Sequence, residues 1–494
     1  VVGLITPDLK VGVKNKKNMP QNNYEYFLLM PQIIIGVGIV LSVLIEIFTK
    51  KSEQILPWFS IAIFFATAFY SVFNINQNFV LFGGMIEVGG KPAIFNFIFN
   101  IGAALVVLSS IDYLKKYGTY FGEYYILIQS SVLGMMVMSG AKDIIMIFMG
   151  LELMSICFYV LAGINRKKLS ANEASMKYFL LGAFATGFIV YGIALIYGST
   201  GSTSIQNLVE NFVGYSSNII FILGMVLFLI GFSFKIAAVP FHMWVPDVYQ
   251  GSATTVTSLM STTGKAAAFS VLIIILSAVF SFNAPNVFRP YFATISVLSM
   301  LFGSIVAISQ TNLKRMLAYS SISHAGYMAI GLAAGNVYSV AGIIFYLVAY
   351  TFMNIGAFTV ISIVEGENDS RTDLNSYAGL NAKSPVLAAT MALFMFALAG
   401  IPPLAGFFGK YYVFIAAIQS KLTWLAILGV LSSVISVYFY IRVVVFMYFK
   451  DSIEDFKIDI SAYSLTAVVI TVLLILIFGI FPDTLMNVIT SVLQ

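Results

Sequence analysis

Apolar residues run through this chain in stretches of roughly twenty, parted by short clusters of charged, Asn and Gly residues. A helix needs about 20 apolar residues to cross a bilayer, because the hydrocarbon core is ~30 Å thick and each residue rises ~1.5 Å. The pattern predicts fourteen crossing segments. The first seven lie at 27–48, 57–74, 94–114, 123–139, 143–163, 174–198 and 219–245. The second seven lie at 252–280, 290–310, 313–334, 337–364, 385–419, 422–449 and 461–490. Several run past a simple span, which implies tilt or an internal break. Residues 1–26 differ: they are polar, carry Lys10, Lys14, Lys16 and Lys17, and lack the ordered parts of a signal peptide, with Met19 a candidate start.

Two long segments contain their own interruptions. The seventh reads Gly231-Phe-Ser-Phe-Lys235-Ile-Ala-Ala-Val-Pro240, and the twelfth reads Gly400-Ile-Pro402-Pro403-Leu-Ala-Gly406-Phe-Phe-Gly409-Lys410. Proline removes a helical hydrogen bond and clashes with the preceding turn. Within a membrane, unwound backbone persists only where protein or a wet cavity surrounds it, and paired broken helices in two halves point to a transport site. The fivefold spacing predicts an all-α polytopic fold with two inverted five-helix repeats, helices 4–8 (123–280) and helices 9–13 (290–449). Helices 1–3 (27–122) precede the repeats and helix 14 with the C-terminus (461–494) follows them.

Composition agrees: 60% of residues are hydrophobic and only 10% charged, against about 25% charged in soluble domains. The formal charge of +5 is too small and scattered to suggest nucleic acid. A single cysteine, Cys157, excludes an internal disulfide, a zinc cluster or a cysteine-ligated iron–sulfur centre on this chain. Loops after odd-numbered segments hold Lys50, Lys51, Lys115, Lys116, Arg166, Lys167, Lys168, Lys314, Arg315, Arg371, Lys383, Lys450 and Lys457. Those after even-numbered segments hold only Lys91, Lys142, Arg289 and Lys421. The positive-inside rule then puts the odd loops in the cytoplasm and both termini on the periplasmic side.

Charges inside the apolar runs are the candidate chemistry. Glu152 falls near the middle of the fifth segment, Lys235 and Lys265 inside the seventh and eighth, and Lys410 inside the twelfth. An ionisable group at the bilayer centre costs at least about 2.5–3.5 kcal/mol, so it faces the bundle interior. A desolvated amine gives up its proton more readily than one in water, and a carboxylate at ~4 Å opposes this by ~4 kcal/mol at an effective dielectric near 20. Amine and carboxylate together therefore make a loadable proton carrier, or a fixed structural ion pair. His324, among the hydroxyls of Tyr319-Ser-Ser-Ile-Ser-His324, suits a proton relay or a packed hydrogen-bonding role. His242 is read as interfacial, Lys177 as snorkelling to the surface, and Asp247 as a loop or cap residue.

These residues carry a resemblance. The runs Gly150-Leu-Glu152-Leu-Met-Ser155, Lys177-Tyr-Phe-Leu-Leu-Gly-Ala-Phe184 and Phe234-Lys235-Ile-Ala-Ala-Val-Pro-Phe-His242-Met-Trp-Val-Pro-Asp-Val-Tyr-Gln-Gly251 resemble the subunit N family of bacterial proton-pumping NADH:quinone oxidoreductase (respiratory complex I). So do Gly264-Lys265-Ala-Ala-Ala268, the run from Asn312 to Gly326, and that from Gly400 to Lys410. The resemblance implies a proton-translocating, antiporter-like subunit in the bacterial inner membrane. It casts Glu152 and Lys235 as a coupled pair, Lys265 as a link between half-channels and Lys410 as the terminal carrier. It further implies that NADH, FMN, iron–sulfur clusters and quinone belong to other subunits, and that the partners are membrane subunits, especially antiporter-like subunit M and small subunit K. A subunit of a multisubunit Na⁺/H⁺ antiporter or membrane-bound hydrogenase is the nearer alternative, and a static membrane scaffold the more distant one.

Overall fold

The computed structural model describes residues 27–116, 121–280, 287–366, 370–452 and 458–493, so the polar extension at 1–26 lies outside the described residues. Helices dominate. The labels used below are α1 (Met30–Phe48), α2 (Ser52–Phe73), α3 (Gly90–Lys116), α4 (Gly122–Gly140), α5 (Ile144–Ala162), α6 (Leu169–Thr200) and α7 (Ile219–Lys235). They continue with α8 (Val245–Gly251), α9 (Thr254–Leu259), α10 (Lys265–Phe280), α11 (Arg289–Ile308), α12 (Leu313–Ala334) and α13 (Val337–Val364). The last are α14 (Pro385–Ala399), α15 (Ala405–Gln419), α16 (Thr423–Phe449), α17 (Ala462–Ile480) and α18 (Pro482–Leu493). Between α2 and α3, Asn78–Leu81 and Ile86–Gly89 pair as an antiparallel hairpin that apolar periodicity did not announce.

Ten of the described helical spans are long and apolar enough to cross a membrane. The interruptions expected at 219–245 and 385–419 are present: α7 ends at Lys235 and turns lead on to α8, while 385–419 divides into α14 and α15. The segment at 252–280 is a continuous helical span carrying a feature the sequence did not reveal: a π turn over Met260–Gly264 joins α9 to α10, just before Lys265. Such turns place an extra residue in the helix and recur at functional sites.

The core follows from polarity. α12 carries Lys314, Arg315, three serines and His324 and is poorly suited to lipid, and it is buried along nearly its whole length. Its neighbour α13 is apolar enough to face lipid, yet its span is wholly enclosed by protein. Loops of like parity meet at each end. At one end Asn312 bridges Asp373, and Asp247 receives both Lys177 and Arg315. At the other, Ile86 bridges Ala141 and Asp143 bridges Ser204. Lys314, read from sequence as a loop lysine, is instead fully buried in the first turn of α12. Lys177 does not snorkel freely but is tied to Asp247 and Glu173, each at 2.7 Å.

Candidate functional site

Glu152 and Ser155 lie one turn apart on α5, and Tyr159 lies one turn further, so the three share a face. Glu152 Oε1 accepts a hydrogen bond from Thr186 Oγ1 of α6 at 2.8 Å. Lys235, the last residue of α7, donates to Ser155 Oγ at 2.8 Å and to Tyr159 OH at 3.2 Å. Glu152 and Lys235 are thus brought to one site but are not in ion-pair contact; a serine and a tyrosine stand between them. Tyr159 reaches this position because Gly182 of α6 has no side chain, and a Cβ there would come within 2.1 Å of the tyrosine oxygen.

The break after Lys235 frees backbone groups that must be paired in a dry interior. Ala237 takes a left-handed conformation at φ 64°, and the chain turns through Pro240 into α8. Phe234 O, released by the break, accepts from the Trp244 indole at 3.0 Å, and Tyr178 stacks on that indole at 4.4 Å between ring centroids. Val239 N donates to Ser299 Oγ at 2.9 Å. His242, near the same break, is half-buried against the Phe302 ring rather than at an open interface.

The second break is closed by the lysine itself. α14 stops at Ala399 and Gly400 takes φ 86°. Lys410, one turn into α15, reaches back and donates to Ala399 O at 2.8 Å, Leu398 O at 3.3 Å and Ser433 Oγ at 2.8 Å. A cation at the carbonyl end of a helix is favoured by the helix dipole. This explains why Lys235 precedes its proline while Lys410 follows its own pair: one lysine ends its helix, the other caps the helix before it.

Lys265 and His324 meet on α12. Lys265 Nζ donates to Ser321 O. One turn along, the His324 ring nitrogens hydrogen-bond Tyr346 OH at 2.8 Å and Tyr440 OH at 2.9 Å, and Tyr440 OH also bonds Ser320. Another turn on, the Tyr327 ring lies 4.9 Å from Lys410 Nζ. Lys265, His324 and Lys410 therefore converge on one helix, while Glu152 and Lys235 form a separate cluster. Among the described residues no hydrogen bond joins Lys235 to Lys265, although α7 packs against α10.

Sequence reasoning missed a second buried pair. Lys314 and Glu365 are both fully buried with 3.8 Å between Nζ and Oε1. Each stands at the end of an apolar run, where a charge reads as loop. Nearby, Lys168 in the loop before α6 is lowered to about 8 by burial, then by the Lys314 charge, with Glu365 opposing. For Asp247, burial pushes the carboxyl up, but its bonds to Lys177 and Arg315 hold it below its ordinary range. Among the described residues no cluster of His, Cys, Asp and Glu has the form of a metal site.

Residues 141–436 match the family model described as NADH:quinone oxidoreductase/Mrp antiporter, TM. The NADH-quinone oxidoreductase subunit N of Trichlorobacter lovleyi is 44% identical, the alignment covering 93% of this chain and 95% of that one. Subunit N 1 of Chloroherpeton thalassium is 44% identical over 94% and 97% of the two chains. A chain of respiratory complex I from Thermus thermophilus superposes with TM-score 0.80 and 31% identity, covering 92% of this chain and 98% of that chain. A chain of the Mrp complex from Dietzia sp. shares the fold at TM-score 0.84 and 18% identity, covering 95% and 97%.

Proposed function

This chain belongs to the NADH-quinone oxidoreductase subunit N family, antiporter-like proton-translocating subunits of that enzyme complex, and on that premise we propose that Glu152, Lys235, Lys265, His324 and Lys410 are its proton carriers. One observation carries the reading: among the described residues none of Lys235, Lys265 and Lys410 sits in an ion pair. Each ammonium rests on hydroxyls or on carbonyls, at or beside a helix interruption. A proton can leave such a group without breaking a salt bridge. A static scaffold would instead hold its buried charges in fixed pairs, since an unpaired buried charge is strongly destabilising.

In this reading Glu152 acts on Lys235 through Ser155 and Tyr159, and His324 relays between Lys265 and Lys410 through its tyrosine partners. The fourteen segments all cross the inner membrane, as two inverted five-helix repeats with one broken helix each and with both termini periplasmic. The meeting of like-parity loops at each end supports that alternation. NADH, flavin, iron–sulfur clusters and quinone reside on other subunits, and subunits M and K are the neighbours in the membrane.

Replacement of Lys235 tests the assignment. In vesicles containing the assembled complex, Lys235→Ala is expected to lower protons moved per electron while assembly survives. Lys235→Arg should also lower it, because a guanidinium with pKa above ~12 does not release its proton. Full stoichiometry in the arginine variant overturns proton release at this position.

A further inference from the structure

A cavity of about 380 Å³ opens at the end of the molecule where the odd-numbered loops meet, lined by Lys168, Glu173, Asp247, Asn312 and Thr372 among others. Its Asn312–Thr372 wall leads directly to the buried pair, for Asn312 Nδ2 donates to Thr372 Oγ1 at 2.8 Å and Leu313 N donates to Thr372 O. One residue further is Lys314, which donates to Ser252 O at 2.8 Å and faces Glu365. Glu365 caps the C-terminus of α13 and accepts from Thr254 Oγ1 at the start of α9. An anion at the carbonyl end of a helix is disfavoured by the dipole, so this is an unusual place to keep a carboxylate merely for stability. Lys168 and Tyr377 lie within electrostatic reach of Glu365, and the Arg371 guanidinium packs beside the next residue, Gly366.

Between Glu365 and Lys265 the interior holds a run of buried hydroxyls. Ser252 Oγ, Tyr249 OH, Ser321 Oγ and Tyr350 OH are all buried without a hydrogen-bond partner. Tyr249 and Tyr350 both face Ser321, whose carbonyl receives Lys265. Nearly every buried polar atom in a native interior is paired, with ordered water making up what protein does not. A row of buried hydroxyls leading from a buried carboxylate to a buried amine has the chemistry of a hydrated proton path.

Building on the proton-carrier reading above, we propose that Glu365, positioned by Lys314, is a proton-loading residue that takes protons from the Lys168–Asn312–Thr372 cavity and delivers them to Lys265. A hydronium ion in the cavity water gives its proton to the Glu365 carboxylate, one O–H bond forming as another breaks and neutral water remaining. The carboxylic acid then passes its proton along the hydroxyls of Ser252, Tyr249, Ser321 and Tyr350 and their bridging waters. It ends on the Lys265 amine as an N–H bond, and Glu365 returns to the anion.

The test measures protons moved per electron in vesicles containing the assembled complex. Glu365→Gln is expected to reduce the ratio, and Glu365→Asp to restore part of it. The double variant Lys314→Leu with Glu365→Leu separates transport from structure, because a static buried pair is often replaced by apolar residues without loss. Full pumping in the double variant, or in Glu365→Gln, overturns the proposal. For variants that do not assemble, Ser170→Cys on the cavity lining is modified after assembly with a bulky thiol reagent. The only native cysteine of this chain, Cys157, is buried. Slower pumping in modified than in unmodified Ser170→Cys supports the cavity as the source, and equal rates overturn it. Lys265→Ala is run alongside: if it pumps fully the carrier reading itself fails, whereas a defect there with normal Glu365 variants removes the loading site alone.

Discussion

Lys168 stands where the loop after α5 meets α6, its ammonium drawn partly out of water beside a second buried lysine. Its folded value of about 8 lies below that of an unfolded lysine, ~10.4, so the unfolded chain binds more protons between those limits. Stability from this residue is therefore lost at and below pH ~8 and regained as pH rises toward ~10.4. Lys168→Gln is expected to melt higher than the parent near pH 7, with the gap closing by pH 10; thermal scans of the purified complex across that range check it, and a gap independent of pH refutes it. Glu152, Lys235, Lys265 and Lys410 were legible as candidate sites because a charge in the middle of an apolar run has no ordinary explanation. Lys314 and Glu365 were not, since a charge at the edge of such a run usually belongs to a loop. Nor does the order of residues tell that Lys235 bonds Ser155 and Tyr159 rather than Glu152, which depends on how α5 and α7 are rotated against each other.

At the scale of elements, the two prolyl breaks were legible and the π turn was not. Pro240 and the Pro402–Pro403 pair announce themselves, whereas the π turn at Met260–Gly264 leaves no mark in the apolar pattern. The helix–helix approaches depend on single missing side chains. Gly182→Ala would drive a methyl group into the Tyr159 hydroxyl, and overpacking of this kind costs about 1–3 kcal/mol. Proton pumping is expected to fall with it, because Tyr159 moves off Lys235, while Gly187→Ala on the same helix, where the added carbon meets nothing, should be neutral in both respects. Equal behaviour of the two variants in chemical denaturation and pumping assays would show that the Tyr159 contact does not matter.

For the whole molecule, the alternating direction of the segments was readable from loop charge, and the gathering of like-parity loops was not, because only folding brings residues such as Asp247, Lys177 and Arg315 to one place. On the proposed orientation, with the odd loops in the cytoplasm, a cysteine placed among residues 165–168 is expected to resist an impermeant thiol reagent in intact cells and to react in inverted vesicles. Labelling in intact cells would reverse the orientation. The sheltered position of α13 has a consequence for how the protein is made. The most apolar 18 residues of this helix have a mean hydropathy of 1.9, much like its more exposed neighbours, yet all of that stretch is enclosed by protein once the fold is complete. An insertion machine reading apolarity alone releases it into lipid as it would α16, and only later do α14, α15 and α17 close around it. Since α17 begins at Ala462, roughly a hundred residues further along, α13 must wait in the bilayer through much of the remaining synthesis. The hydroxyls and amide it then carries on Thr351, Asn354 and Thr359 meet hydrocarbon for that interval, and Thr351 and Thr359 bond back to their own helix in the meantime. The centre of the finished protein thus stays open on one side until late in synthesis, and a ribosome stalled before α17 leaves behind a nascent chain whose innermost helix lacks one of its walls.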